Sequence, residues 1–168
     1  MNSSPAGGIS RRHTESGRKF LVVVDNTPEC RVALRFAAGR ALHTGGGVAL
    51  LYIIPKAEFQ HWMAIGELMR EEALLEADEL LGSLVAEVRR DVGIEPEVVV
   101  HEGDRMDCIL ETVDEDPAIG VLVLGASVDP EGPGPLVSSF AGKLAGSLPI
   151  PVTVVPGNLT PRQIDELT

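Results

Sequence analysis

Five short apolar runs punctuate the chain, and a segment long enough for a helix separates each from the next. The runs are Phe20 to Val24, Val48 to Ile54, Val98 to Val100, Val121 to Leu124 and Val152 to Val155. Phe20 to Val24 lacks a polar–apolar alternation, which suits a strand buried on both faces, as in parallel sheets. Strands alternating with helices predict an α/β domain built on a mainly parallel sheet. Right-handed crossovers then bring every strand's carboxyl end to one edge. In a sheet of order 3-2-1-4-5, strands one and four are neighbours where the winding reverses. Open α/β sheets bind ligands in that crevice.

The intervening segments carry helix signals. Thr27 and Pro28 read as an N-cap and first helical position, with Glu29 in the first turn. Ala33, Leu34, Ala37, Ala38, Ala41 and Leu42 give that helix an apolar face to about His43, and Gly45 to Gly47 stop it. Glu58 to Arg90 is helical in character, with Leu74, Ala77, Leu81, Leu84 and Val88 along one side. Gly66 offers a break between a lead-in piece and the main helix, and Gly93 ends it. Arg105 to Asp114 and Ser139 to Leu148 predict two more helices, and Thr160, Pro161 and Gln163 have the form of a short capped one.

The 168 residues suit one domain. Residues 1–18 read as a disordered tail, 19–157 as the folded part, and 158–168 as a C-terminal tail or short helix. The tail has no apolar core of a secretory signal, so the expected location is the cytoplasm. No apolar run reaches the ~18 residues of a membrane helix. A formal charge of −11 opposes binding to nucleic acid and to anionic membranes. Cys30 and Cys108 stand in unrelated contexts and are expected to be reduced. His13, His43, His61 and His101 show no metal-ligand spacing with them, so no metal site is expected.

The stretch from Val121 to Phe140 holds the clearest candidate chemistry. A buried strand ends in Gly125, a loop rich in Gly and Pro follows, and Ser138 and Ser139 open an apolar run. A glycine loop feeding a helix N-terminus is a common cradle for phosphate.

These residues together resemble the universal stress protein family. The likeness spans about Lys19 to Pro156. It rests on Leu21-Val-Val-Val-Asp25 before a Pro-started helix, Leu50-Leu-Tyr-Ile-Ile54, Val121-Leu-Val-Leu-Gly125 and the closing Pro149-Ile-Pro-Val-Thr-Val-Val155. The resemblance implies an open five-stranded parallel sheet of order 3-2-1-4-5 with helices on both faces, of the adenine nucleotide alpha-hydrolase-like kind. It also implies a homodimer pairing through Val152 to Val155. One branch of the family binds ATP through a loop of the form Gly-x2-Gly-x9-Gly-Ser/Thr, and another does not bind it.

Laid on this chain, the loop starts at Gly125 and its hydroxyl is Ser139. Val128 and Ser138 occupy the second and third glycine positions, although Gly132 and Gly134 lie between them. Val128 disfavours a positive φ. Pro130, Pro133 and Pro135 remove three N–H donors. Asp129 and Glu131 add negative charge, and no Lys or Arg lies in the loop. Lys143 is near in sequence, and Arg105 is a candidate neighbour in space. The balance is against a tightly held triphosphate.

Each candidate contact has a plainer reading. By resemblance the nucleotide contacts are Asp25, Ile53, Leu124, Gly125, Val128, Ser138, Ser139 and Phe140. Asp25 also suits a turn-former, Ile53 a core side chain and Ser139 a helix N-cap. Cys30, in a helix's first turn, reads as a packed thiol or a redox-sensitive one. Trp62, Met63 and Met69 suit core, lid or a partner surface. The acidic run of Glu71, Glu72, Glu76, Asp78 and Glu79 suits a solvated helix face.

Two functions follow. One is a non-enzymatic stress-response homodimer acting through contacts with an unknown protein partner. The other is a stress switch binding ATP or AMP, with Mg²⁺, at Asp25, Gly125 and Ser139. An enzyme is disfavoured, because no nucleophile–base pair and no general base for water stand out.

Overall fold

Side chains on successive positions of each inner strand alternate between two apolar layers, and this alternation organises the domain. The structure is a computed structural model that describes residues 17–56, 63–142 and 146–168. Residues 1–16 of the expected tail, the start of the long helix, Trp62 and Lys143 lie outside the described residues, and Gly17, expected in the tail, bonds through its N–H to the Gly45 carbonyl. In chain order the elements are β1 (Lys19–Val23), α1 (Pro28–Thr44), β2 (Gly47–Ile54), α2 (Met63–Asp91) and β3 (Glu97–Glu102). They continue as α3 (Arg105–Glu115), β4 (Ile119–Ala126), α4 (Pro135–Ala141), β5 (Val152–Pro156) and α5 (Pro161–Leu167). The strands form one sheet in the order β3-β2-β1-β4-β5, and every pairing is parallel.

Phe20, Val22 and Val24 face the layer of α1 and α2, with Val48, Leu50, Ala77, Leu81 and Leu84. Leu21 faces the other way, onto Leu51, Leu122, Ile109 and Phe140 beneath α3 and α4. The period of two is that of a strand buried on both sides.

The helix ends follow their caps. The Thr27 hydroxyl accepts from the Cys30 N–H at the start of α1, and Gly45 closes that helix with φ +65°. Asp104 accepts from the N–H groups of Met106 and Asp107 at the start of α3. Thr160 and Gln163 form a reciprocal capping box on α5. Burial of Ile164 and a two-bond Arg35–Asp165 pair hold α5 against α1.

Two expectations are corrected. α2 runs unbroken through Gly66, which costs only about 1 kcal/mol in a helix interior. α4 starts at Pro135, not at Ser139, and ends at Ala141 rather than Leu148. The physical reason is the Gly134–Pro135 pair: Gly134 sits at φ +100° outside the helix, and proline's fixed φ suits the first helical position.

Candidate functional site

The carboxyl ends of β1 and β4 open a cavity of about 260 Å³ where the winding of the sheet reverses. Val23 and Asp25 come from the β1 end, Thr27, Glu29 and Cys30 from the start of α1, and Leu124 and Gly125 from the β4 end. Arg105, first residue of α3, and the turn from Pro133 to Val137 close it. Of the predicted contacts, the structure brings together Asp25, Leu124 and Gly125.

The others lie off the cavity. Val128 is 62% exposed, and Phe140 is buried in the core under α4. Ile53 packs half-buried against that same core. Ser138 and Ser139 sit inside α4, one turn past its start. Ser139 is therefore not the N-cap; Gly134 holds that place and offers no side chain.

Asp25 is engaged locally. Its Oδ1 accepts from the backbone N–H of Thr27 at 3.0 Å and from the Thr27 hydroxyl. This is an Asx turn that shapes the connection into α1. The Asp25 N–H points at the Cys30 sulfur at 3.4 Å. Burial pushes the Cys30 thiol up to about 11, overriding the favourable position in a helix's first turn. Cys30 is a packed thiol here.

Gly125 has a packing role of its own. A Cβ on it would fall 2.3 Å from the Glu29 carbonyl oxygen and 2.6 Å from that carbonyl carbon. The end of β4 thus lies against the backbone of α1's first turn, and nothing larger than glycine fits. Gly157 repeats the contact after β5: its Cβ would come within 2.6 Å of the Glu29 Cβ.

The loop after β4 uses its donors on itself. The Ser127 N–H bonds to the Pro133 carbonyl at 3.1 Å and the Gly132 N–H to the Asp129 carbonyl at 3.0 Å. The Asp129 N–H bonds to the Ser127 hydroxyl, which donates in turn to the Asp129 carboxylate. The three prolines of the loop bring no N–H, and three of its remaining N–H groups are turned inward. Arg105 is the cation in the cavity lining, against the carboxylates of Asp25 and Glu29.

The Gly134–Pro135 pair was the signal in the sequence for the true start of α4. Sequence reasoning did not single out Glu29 as a cavity residue; it lines the cavity from the first turn of α1, against which Gly125 packs. Among the described residues no group of three His, Cys, Asp or Glu side chains is arranged to hold a metal ion. No helix among them is long and apolar enough to cross a membrane.

The profile of the Universal stress protein family matches residues 17–156. No curated protein gives a significant sequence match. Universal stress protein UspA from Lactobacillus plantarum superposes with a TM-score of 0.71 at 17% identity, covering 84% of this chain and 99% of that one. A universal stress protein from Archaeoglobus fulgidus, in complex with dAMP, gives 0.60 at 21% identity, covering 84% and 98%. Another universal stress protein, in complex with cAMP, gives 0.56 at 14% identity, covering 86% and 100%. At these identities the structural likeness speaks for the fold.

Proposed function

This chain belongs to the universal stress protein family, and we propose that it is a non-enzymatic, cytoplasmic stress-response protein acting as a homodimer through protein contacts. The observation that carries this reading is the loop after β4. Its prolines, its internal hydrogen bonds and its two carboxylates leave little to hold a triphosphate.

The homodimer draws support from the sheet edges. β5 pairs with β4 on one side, and its outer side carries Val154 at 43% exposure with no charged residue in the strand. An uncharged edge invites strand pairing with a second copy. β3, at the opposite edge, also exposes Val98 and Val100, but Glu97 and Glu102 at its ends, paired with Lys19 and Arg70, blunt it as a pairing edge. Solution scattering at micromolar concentration should give twice the chain mass of 17.8 kDa; a monomer mass refutes the dimer.

The decisive experiment is thermal unfolding with millimolar Mg-ATP. A ligand at 100 times its Kd adds about 2.7 kcal/mol, which is roughly 5–10 °C for a chain of this size. No shift is expected. A clear shift overturns the non-binding reading.

One observation favours a second reading, a nucleotide switch. Arg105 lines the crevice beside Asp25 and Gly125, where it can meet one phosphate, and two of the similar structures hold dAMP and cAMP. This reading takes a monophosphate rather than ATP. It predicts that AMP or cAMP raises the unfolding temperature and that Arg105→Ala abolishes the rise.

A further inference from the structure

The first half of α2 lies outside the packing that holds the second half. From Ala77 onward, Ala77, Leu81, Leu84 and Val88 are buried against the sheet. Before that point Leu68 is 58% exposed, Leu74 42% and Leu75 67%. Leu68 and Leu75 are two turns apart and share a face. Leu74 and Leu75 form, with Glu71 and Asp78, a shallow hollow of about 500 Å³.

The charge around this apolar strip is of one sign. Over residues 66–80 the acidic side chains are Glu67, Glu71, Glu72, Glu76, Asp78 and Glu79, and the one cation is Arg70. Arg70 is held by Glu102 at the end of β3. Among the described residues, none of the six carboxylates has an ion pair.

Beside the strip, α2 and the sheet enclose a second cleft of about 480 Å³. Tyr52, Glu76, Glu79 and Asp25 line it, and its Arg31 is already bound by Glu87. An aromatic ring with three carboxylates is a receptacle for an ammonium or guanidinium group. On α2 the cleft and the Leu74–Leu75 hollow lie on opposite flanks, and Glu79, one turn after Leu75, is the cleft residue that borders the leucine strip.

We propose that residues 66–80 of α2 form a docking face for a basic amphipathic helix of a partner protein. Its apolar side chains at i, i+3, i+4 and i+7 cover Leu68 and Leu75, and flanking Lys or Arg side chains meet Glu71, Glu72 and Glu79 on the same outward face. Charge chooses this occupant over the alternatives. A second copy would set the same carboxylates against one another, and membranes and nucleic acids carry the same sign as the face.

The inference rests on the reading that the chain works through protein contacts, and names the surface. The probe is a fluorescent 18-residue designed helix with a leucine stripe flanked by lysines, titrated by anisotropy into the full chain. A twin peptide carries glutamates in place of the lysines. The lysine peptide should bind, the glutamate twin at least tenfold more weakly. Leu75→Ser and Glu79→Gln should each weaken binding several-fold while leaving the unfolding temperature within about a degree, since both sites are exposed. Raising salt from 50 to 300 mM should weaken it further.

No binding of the lysine peptide overturns the proposal, as does equal binding of the two peptides or indifference to Leu75→Ser. A chain lacking residues 1–16 that alone binds the peptide would assign the face to the protein's own amino-terminal segment. A dimer lost on Leu75→Ser would assign it to a second copy. Either outcome overturns the proposal as well. An Mg-ATP shift sinks the non-binding function without touching the docking result, so the two failures are distinguishable.

Discussion

Two connections face each other across the crevice, and they solve the same problem differently. The β1–α1 connection turns in a few residues. Asp25 ties to Thr27, Thr27 caps α1, and the N–H groups exposed by the turn are met by side chains close in sequence. The β4–α4 connection is longer, rigidified by three prolines, and closed by backbone bonds to itself. The first keeps the crevice's shape, while the second turns three of its N–H groups inward.

The comparison breaks most readily at Gly125. Gly125→Val would drive a side chain into the backbone of Glu29 and should cost about 2–4 kcal/mol, read from the urea midpoint. Unchanged stability would mean that the close approach of β4 to α1 is not what holds the turn. Next in size is an alkaline effect beneath the same turn. The folded state keeps the Cys30 proton up to about 11, against an ordinary 9.0, so it binds more protons than the unfolded chain between those values. Its contribution is whole below pH 9 and lost as pH rises toward 11, on the order of 2–3 kcal/mol in all. Cys30→Ala should flatten that part of the stability profile. If the wild type shows no extra loss over the variant, the thiol is less buried than described.

Removing the cap is a smaller change. Thr27→Ala should lower stability by about 1 kcal/mol, because the Cys30 N–H and the Asp25 carboxylate both lose a partner. The smallest effect belongs to the other connection. Ser139→Ala should shift stability by less than about 0.5 kcal/mol and leave the response to Mg-ATP as it was. A larger loss would show that Ser139 serves α4 or a ligand after all.

The regular part of the molecule was legible because its signals are local. Strand runs such as Val48 to Ile54, the Thr27–Pro28 cap and the Thr160–Gln163 box each specify their element over a few residues. The family resemblance then placed strand one beside strand four, and Asp25 beside Gly125. The loop was harder. Counting from Gly125 to Ser139 preserves a spacing, yet the helix start is set by Gly134 and Pro135, one turn earlier. Spacing in sequence carries a side chain to a ligand only if the backbone between keeps its path, and prolines change that path. Gly125 carries a second role that the sequence alone does not show: a glycine needed for close approach to a helix backbone and one suited to phosphate look alike until the neighbouring chain is in place. Arg105 could be named only as a possible neighbour, since its nearness depends on where α3 begins relative to the sheet's edge.

The length of α2 has one more consequence. Its 29 residues at about 1.5 Å each extend roughly 44 Å, whereas the eight of β2 at about 3.3 Å each extend roughly 26 Å. A helix that outruns its sheet opens unevenly. Amide hydrogens around buried Leu84 should exchange only when the whole domain unfolds, and those around exposed Leu68 through local fraying, which hydrogen exchange can read. The helix thus carries a gradient of burial along its axis, anchored in the core at one end and bare of packing at the other.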